Sequence, residues 1–373
     1  MSDTTHVKEI LALSLVKNVG PILARQLLAY FKTPSAIFQA SERELMAVPN
    51  IGVTVAASIR TSRALEEAAK ELPILEKEGI VPLTFDSPDY PPLLKDIPSA
   101  PLILFYRGNT QTIAHTGKRT LAIVGTRKAT SYGKGFVQNF VAELKAYDPT
   151  ITIVSGLAYG IDAEAHSAAL EQGLPTVGVL GHGFSYLYPP KHHLLAQQML
   201  AHGGLLTEYT YQREPDAPNF LQRNRLIAGI AAATIVVESA AHGGALSTAN
   251  YCREYNRHLL AVPGYVGKTW SVGCNRLIAE HKASLIEGVE DLIAALKWEK
   301  KSASSTAGEG FFFFPSPEET QLLEAIGNGE AKSFDEIVQE VTFPINQLQT
   351  LLFDLEMKGQ IRQLPGRMYE KTH

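Results

Sequence analysis

Residues 120–133, Thr120-Leu121-Ala122-Ile123-Val124-Gly125-Thr126-Arg127-Lys128-Ala129-Thr130-Ser131-Tyr132-Gly133, decide the fold. A five-residue apolar run stops abruptly at a glycine turn, and a helix-like segment follows. That is how a strand feeds a phosphate-holding turn, with helix N-terminal amides aimed at an anion. The turn is not the usual nucleotide fingerprint. Arg127 takes the third position of a G-x-G-x-x-G, and no Walker-type Gly-Lys-Ser/Thr is present. A planar, permanently charged guanidinium in such a turn suits phosphate oxygens or a base edge. Gly125 and Arg127 are therefore expected to hold phosphates other than those of NAD or ATP.

Outward from this stretch, short apolar strands are predicted at 120–124, 151–154, 176–180, 234–237 and 258–262. Helical patterns at 132–146, 162–172, 193–202 and 245–256 separate them. Near-continuous apolar strands alternating with helices predict an α/β fold, a doubly wound and mostly parallel sheet covered on both faces. Ligands in such sheets bind beyond the carboxyl ends of the strands, where the glycine turns stand.

Four further constellations fall on this sheet. Ile153 to Asp162 repeats the strand–glycine turn–helix pattern, with Ser155 and Gly156 read as phosphate-approach positions. Asp162 is expected to cap the following helix, and His166, four residues on, to be a buried structural partner. Next come Gly181-His182-Gly183 and Tyr188-Pro189-Pro190-Lys191-His192-His193. Adjacent histidines on a helix face different ways and no carboxylate or cysteine completes a ligand set, so no metal is expected. Lys191, near a helix start, is the better phosphate contact.

The third constellation, Asn219 to Gly229, sets Phe220 three and five residues before Arg223 and Arg225, with Asn224 between them. That spacing suggests a stacking platform beside a backbone clamp. One arginine has an alternative role as scaffold, paired with Glu238 or Glu208. The fourth is His242-Gly243-Gly244-Ala245-Leu246-Ser247-Thr248, a Gly-Gly turn with hydroxyls at a helix start, again an anion cradle. A mononucleotide needs one or two such turns, whereas a polymer of phosphates would use the whole row.

The flanks differ. Residues 7–72 carry helical periodicity broken by two similar turns, Lys17-Asn18-Val19-Gly20-Pro21 and Val48-Pro49-Asn50-Ile51-Gly52, the pattern of tandem helix-hairpin-helix units. With few basic residues around the turns, a simple helical packing module reads at least as well as a DNA contact. Prolines forbid long helices over 80–117, and its last run, 98–105, is expected to add an edge strand to the sheet. A polar linker occupies 298–315, and Phe311 to Phe314 are expected to dock on a neighbouring surface. Residues 316–373 outline a winged helix-turn-helix, with helices at 318–327, 333–340 and 344–358 and a hairpin at 361–369.

Bulk properties narrow the classes. The chain has 373 residues, enough for two or three domains, 45% hydrophobic and 19% charged. A net charge of −4 argues against a general DNA-coating protein. Residues 118–296 hold 15 basic against 14 acidic side chains, while 316–373 hold 5 against 10. Nucleic acid would need a local cluster mid-chain. The cysteines Cys252 and Cys274 build no disulfide framework and fit a reducing cytosol. The opening MSDTTHVKEILALSL lacks the marks of a signal peptide, and no apolar run nears the roughly 20 residues that span a bilayer.

Taken in order, IVGTRKATSYG (123–133), IVSGLAYGIDAEAH (153–166), GHGFSYLYPPKH (181–192), NFLQRNRLIAG (219–229), HGGALSTA (242–249), VPG (262–264) and GCNRLI (273–278) closely resemble the DprA/Smf family of DNA-processing proteins. The resemblance implies a helix-hairpin-helix or SAM-like domain over 1–75, a Rossmann-like DNA-binding domain over 80–297, and a winged helix over 316–373. It implies binding and protection of single-stranded DNA and loading of the RecA recombinase onto it during natural transformation. It also implies a cytoplasmic homodimer, with no established catalytic reaction and no cofactor. DNA contact is carried onto Arg127, Lys191, Phe220, Arg223 and Arg225. The chain departs from the family pattern at Ala217, where some relatives have lysine, at Gly243-Gly244-Ala245, where hydroxyls are lost, and at His281, where glycine is common.

Two rival classes fit the residues less well. A nucleotide hydrolase similar to the LOG family needs a carboxylate beside the glycine turn, but Ala249, Asn250 and Tyr251 follow Thr248 and the next acid is Glu254. A winged-helix regulator of duplex DNA needs a basic recognition helix. The candidate 344–358 offers Gln347, Gln349 and Lys358 but also Asp354 and Glu356, so that helix is expected to contact protein.

Overall fold

The computed structural model describes residues 2–114, 119–298, 317–327, 331–341, 343–357, 360–364 and 366–371. Residues 299–315 of the linker, Phe311 to Phe314 among them, and Lys358 lie outside the described residues. The chain divides into two compact units, Met1–Lys300 and Lys301–His373.

In the first unit, nine strands among the described residues form one sheet. They are β1 (Val81–Thr84), β2 (Ile103–Gly108), β3 (Thr120–Val124), β4 (Thr152–Ser155), β5 (Thr176–Val179), β6 (Gly203–Thr207), β7 (Ala233–Val236), β8 (His258–Ala261) and β9 (Ser284–Leu285). Their spatial order is β1-β2-β6-β5-β4-β3-β7-β8-β9. From β6 to β9 all neighbours are parallel, while β1 and β2 add an antiparallel margin. Both faces are buried, as the apolar runs require. Leu121 and Ile123 point into one core with Val137, Phe140 and Ile153, and Ala122 and Val124 into the other with Val177 and Leu226.

The expected edge strand forms but is not the edge: β2 lies inside β1. Pro82 explains how β1 tolerates that place, since a missing amide costs least on an outer strand. β6 was not predicted at all. Its Gly203 and Gly204 weaken the strand pattern, yet a Cβ at Gly203 would lie 1.8 Å from the Thr176 carbonyl oxygen, so close strand packing demands the glycine.

The N-terminal helices include Ser2–Leu15, Pro21–Phe31, Val53–Arg60 and Ala64–Lys77. Both predicted turns have the same build. Asn18 and Asn50 adopt left-handed φ values of 67° and 68°, Val19 and Ile51 are buried, and Gly20 and Gly52 cap the next helix. The helical core runs on into the sheet, taking in Leu102, Ile103 and Phe105. Glu71 fastens the two further by accepting the Tyr211 amide at 2.5 Å.

The second unit is a winged helix. It holds helices Pro317–Ile326, Phe334–Glu340 and Ile345–Met357 and a sheet ordered β10 (Lys332–Ser333), β12 (Met368–Lys371), β11 (Ile361–Leu364). Leu322, Ile337, Leu348, Leu352 and Leu355 form its core. No helix among the described residues is long and apolar enough to cross a membrane.

Candidate nucleic-acid interface

The chain winds from β3 to β6 on one side and from β7 to β9 on the other, so β3 and β7 flank the switch in strand order. A crevice must open there. It is a cleft of about 690 Å³, with Gly125 and Arg127 on one wall, Gly243 and Gly244 facing them, and Phe220 at its side.

The turn after β3 is braced from below. The Thr126 amide donates to the Glu238 carbonyl at 2.7 Å. The Glu238 carboxylate accepts the Thr130 amide at 2.9 Å and its hydroxyl at 2.7 Å. Glu238 is thus committed to this turn and pairs with neither arginine of the Arg-Asn-Arg run. Arg127 and its neighbour Lys128 remain exposed, two cations on a fixed backbone at the cleft mouth.

The glycines divide into two kinds. Sequence reading assigned Gly125 and Gly156 to phosphate approach, but protein already fills the space in front of them. A Cβ on Gly125 would lie 2.5 Å from the Ile161 side chain, and one on Gly156 2.6 Å from the Arg223 guanidinium. These two are small for packing. At Gly243 and Gly244 a Cβ would meet nothing closer than 3.7 Å, so the fold leaves room for a ligand against the backbone. Gly244→Ala is expected to leave thermal stability unchanged while weakening oligonucleotide binding. Gly125→Ala is expected to destabilise by about 1–3 kcal/mol through overpacking. Melting temperatures beside binding titrations distinguish the two glycines.

The helix Ala217–Ile230 forms the remaining wall and presents two functional faces. Toward the cleft, Phe220 is half-buried, its ring 5.4 Å from that of Tyr188 and 6.3 Å from that of His182. Asn224 donates to the Gly244 carbonyl at 3.2 Å and so holds the Gly-Gly turn in place. Arg223 is buried, not displayed. Its Nη1 donates to the carbonyls of Gly156 (2.8 Å) and Val179, its Nε to Asn224 at 3.2 Å, and its guanidinium lies 5.9 Å from the Phe220 ring centre. Burial pushes it down to about 10, against the opposing pull of Asp162.

Arg225 faces away from the cleft. It is buried, donates to the Ser99 carbonyl at 2.8 Å and pairs with Glu208. The scaffold role held open for one arginine therefore belongs to Arg225, with Glu208 as its partner. Burial raises the Glu208 carboxyl, and Arg225 opposes that rise.

Other predicted residues scatter. Ser155 is buried and donates to the Ile123 carbonyl at 2.6 Å, tying β4 to β3. Thr248 lines the cleft from below, and Ser247 lines an adjoining groove along the 244–254 helix. Lys191 is exposed on the single turn Pro190–His192, outside the cleft lining. Asp162 does not cap its helix. Gly160, at φ 79°, holds that position because a Cβ would strike the Thr126 carbonyl oxygen at 2.2 Å. The Asp162 carboxylate instead accepts the Gly156 amide at 3.1 Å, with burial raising its pKa and Arg223 countering.

Lys128, His242 and Trp270, to which the sequence pattern assigns no role, also line the cleft. Lys128 could have been found as the second cation of the same turn. Trp270 lies in the loop after β8 and reaches the site because its carbonyl accepts the Ser239 amide at 2.7 Å.

Comparison with known proteins then fixes the family. Residues 82–297, more than half of the chain, match the model of DNA recombination-mediator protein A. The chain belongs to the DprA family. Residues 303–367 match the DprA winged helix domain and residues 10–68 a helix-hairpin-helix motif. It is similar to Protein Smf of Synechocystis, at 32% identity over 97% of this chain and 98% of that one. The putative DNA processing protein DprA of Mycobacterium tuberculosis is 34% identical over 85% and 84%. Among solved structures, DprA from Streptococcus pneumoniae superposes with a TM-score of 0.59 at 29% identity, covering 76% of this chain and 95% of that one. DNA processing protein A from Helicobacter pylori, described for its unique single-stranded DNA binding mode, gives 0.52 at 26% identity over 58% and 95%.

Proposed function

We propose that this DprA-family chain binds single-stranded DNA in the β3/β7 cleft, protects it, and helps load RecA onto it during natural transformation and recombination. It does so in the cytoplasm, as a homodimer built on the Rossmann-like unit and without a cofactor. The observation that carries the reading is the pairing of exposed Arg127 and Lys128 with the open Gly243-Gly244 backbone across one cleft, with Phe220 beside them. Cations and backbone amides suit phosphates, and an aromatic face accepts any unpaired base. Phosphates and the faces of unpaired bases carry no sequence information, so binding is expected to tolerate any sequence. The Helicobacter pylori relative, described for its single-stranded DNA binding mode, supports the same ligand.

Arg127→Ala is expected to weaken binding of a single-stranded oligonucleotide at moderate salt and to lower the salt slope by about one phosphate contact. Undiminished affinity would show that the cleft is not the binding site. Phe220→Ala is expected to cost roughly 1–3 kcal/mol of binding without unfolding the protein.

For the winged helix we propose protein contact. Its helix Ile345–Met357 exposes Phe353 (62%) and Ile345 (57%) next to the acid Asp354, a surface ill-suited to DNA phosphates. Duplex DNA affinity is therefore expected to be weak and unaffected by Gln347→Ala or Gln349→Ala.

A further inference from the structure

We infer that Tyr188 and Tyr159 continue the stacking surface begun by Phe220 and seat two further unpaired bases of a strand leaving the cleft. The inference rests on the single-strand reading and adds a path and a direction to it. The three rings line one narrow recess that opens from the cleft, and Arg127 lines both spaces. Tyr188 is 41% exposed and tilted against Phe220, and Tyr159 is 37% exposed with His192 set edge-on to it at 5.0 Å. Single exposed aromatics are ordinary on a protein surface. Three converging on a recess beside a phosphate-binding turn are not explained by the core, which none of them completes.

The rings are also held in place before any ligand arrives. Tyr159 follows Ala158 in the turn pinned by Gly160 against Thr126. The Tyr188 amide donates to His182 Nε2 at 3.3 Å, and His182 Nδ1 lies 2.9 Å from the Gly183 carbonyl. Gly183 is wedged so tightly that a Cβ would come within 2.0 Å of the Thr210 carbonyl. On the far side, His192 Nδ1 lies 2.9 Å from the Leu157 carbonyl, which fixes the ring that backs Tyr159. Pre-set aromatic rings bind at little entropic cost. Lys191 lies between Pro190 and His192 on the same turn, so the path ends beside an exposed cation. That gives Lys191 a place on the strand although it stands outside the cleft.

The test compares oligo(dT) of about 4 nucleotides, which fills the cleft, with one of about 16, which also covers the path. Tyr159→Ala is expected to weaken the long strand about tenfold and to leave the short one within about twofold of the parent, whereas Tyr188→Ala, whose ring also lines the cleft, is expected to weaken both. Tyr159→Phe and Tyr188→Phe are expected to bind both lengths as the parent does, since the ring and not the hydroxyl stacks. Tyr159→Ala is the cleaner probe because Tyr188 also leans on Phe220. Parental affinity of Tyr159→Ala for the long strand, with Arg127→Ala still impaired, would overturn the path and leave the cleft standing. Equal loss of Tyr159→Ala on both lengths would overturn it too, making that ring part of the cleft wall. Full affinity of Arg127→Ala on both lengths would bring down the cleft reading and the path with it.

Discussion

Arg223→Ala is expected to lower the unfolding free energy by about 3–5 kcal/mol, because it removes a buried charged donor and leaves the buried groups around it unsatisfied. The guanidinium donates to two carbonyls and to Asn224, and it faces the buried Asp162 carboxylate. Without it, the buried Asp162 carboxylate loses the cation that opposes its desolvation, and the Gly156 and Val179 carbonyls lose a shared donor. Arg223→Lys is not expected to restore the loss, because an ammonium cannot reproduce the planar fork. Urea unfolding of parent and variants measures it. An unchanged midpoint combined with lost oligonucleotide binding would instead place this guanidinium on DNA. The expected route by which Arg223 affects binding is indirect, through its contacts to the Phe220 ring and Asn224.

Acid is expected to act through His166, which is fully buried in the helix Ile161–Glu171. Thr176 spends its hydroxyl proton on the Ile153 carbonyl at 3.0 Å, so His166 Nδ1, 2.7 Å away, must be the donor to Thr176. Nε2 is buried with no partner. Protonating it would bury an unpaired charge, and burial pushes the pKa down to about 3, helped by His192 and Arg223. The folded value lies below the unfolded one, so this contribution is complete above about pH 6.5 and disappears as pH falls toward 3. Between pH 7 and pH 4.5 the loss should be roughly 3 kcal/mol. His166→Leu is expected to be less stable at neutral pH, having lost the Thr176 bond, but its stability should fall less steeply with acid. Parallel pH profiles for parent and variant would refute this.

The parallel core was legible because burial on both faces turns a strand into a plain apolar run. β3, β4, β5, β7 and β8 were found within a residue or two for that reason. β1, β6 and β9 were not, since Pro82, the Gly203-Gly204 pair and the two-residue length of β9 hide them. At the site, sequence located the turns but not what their glycines are for. A glycine facing Ile161 and one facing open space look alike in a string of letters, and only packing separates them. Arg223 and Arg225 are two residues apart on one helix, about 200° around its axis, and both are buried in protein contacts on opposite sides of it, which spacing alone does not reveal. His281 illustrates the reverse. The departure noted there falls at φ 53°, the left-handed region where a glycine is easiest, and this chain places a histidine in it.

The helix Ala217–Ile230 has one further consequence. It is a party wall. On one side Arg225 bolts it to Glu208 and to the Ser99 loop beneath the N-terminal helices, and on the other it carries Phe220 and Asn224. A rigid partition cannot shift for one tenant alone. Under the proposed single-strand reading, the face that would seat a base and the face anchored to the Ser99 loop belong to this one helix, so a shift of the helix would move both.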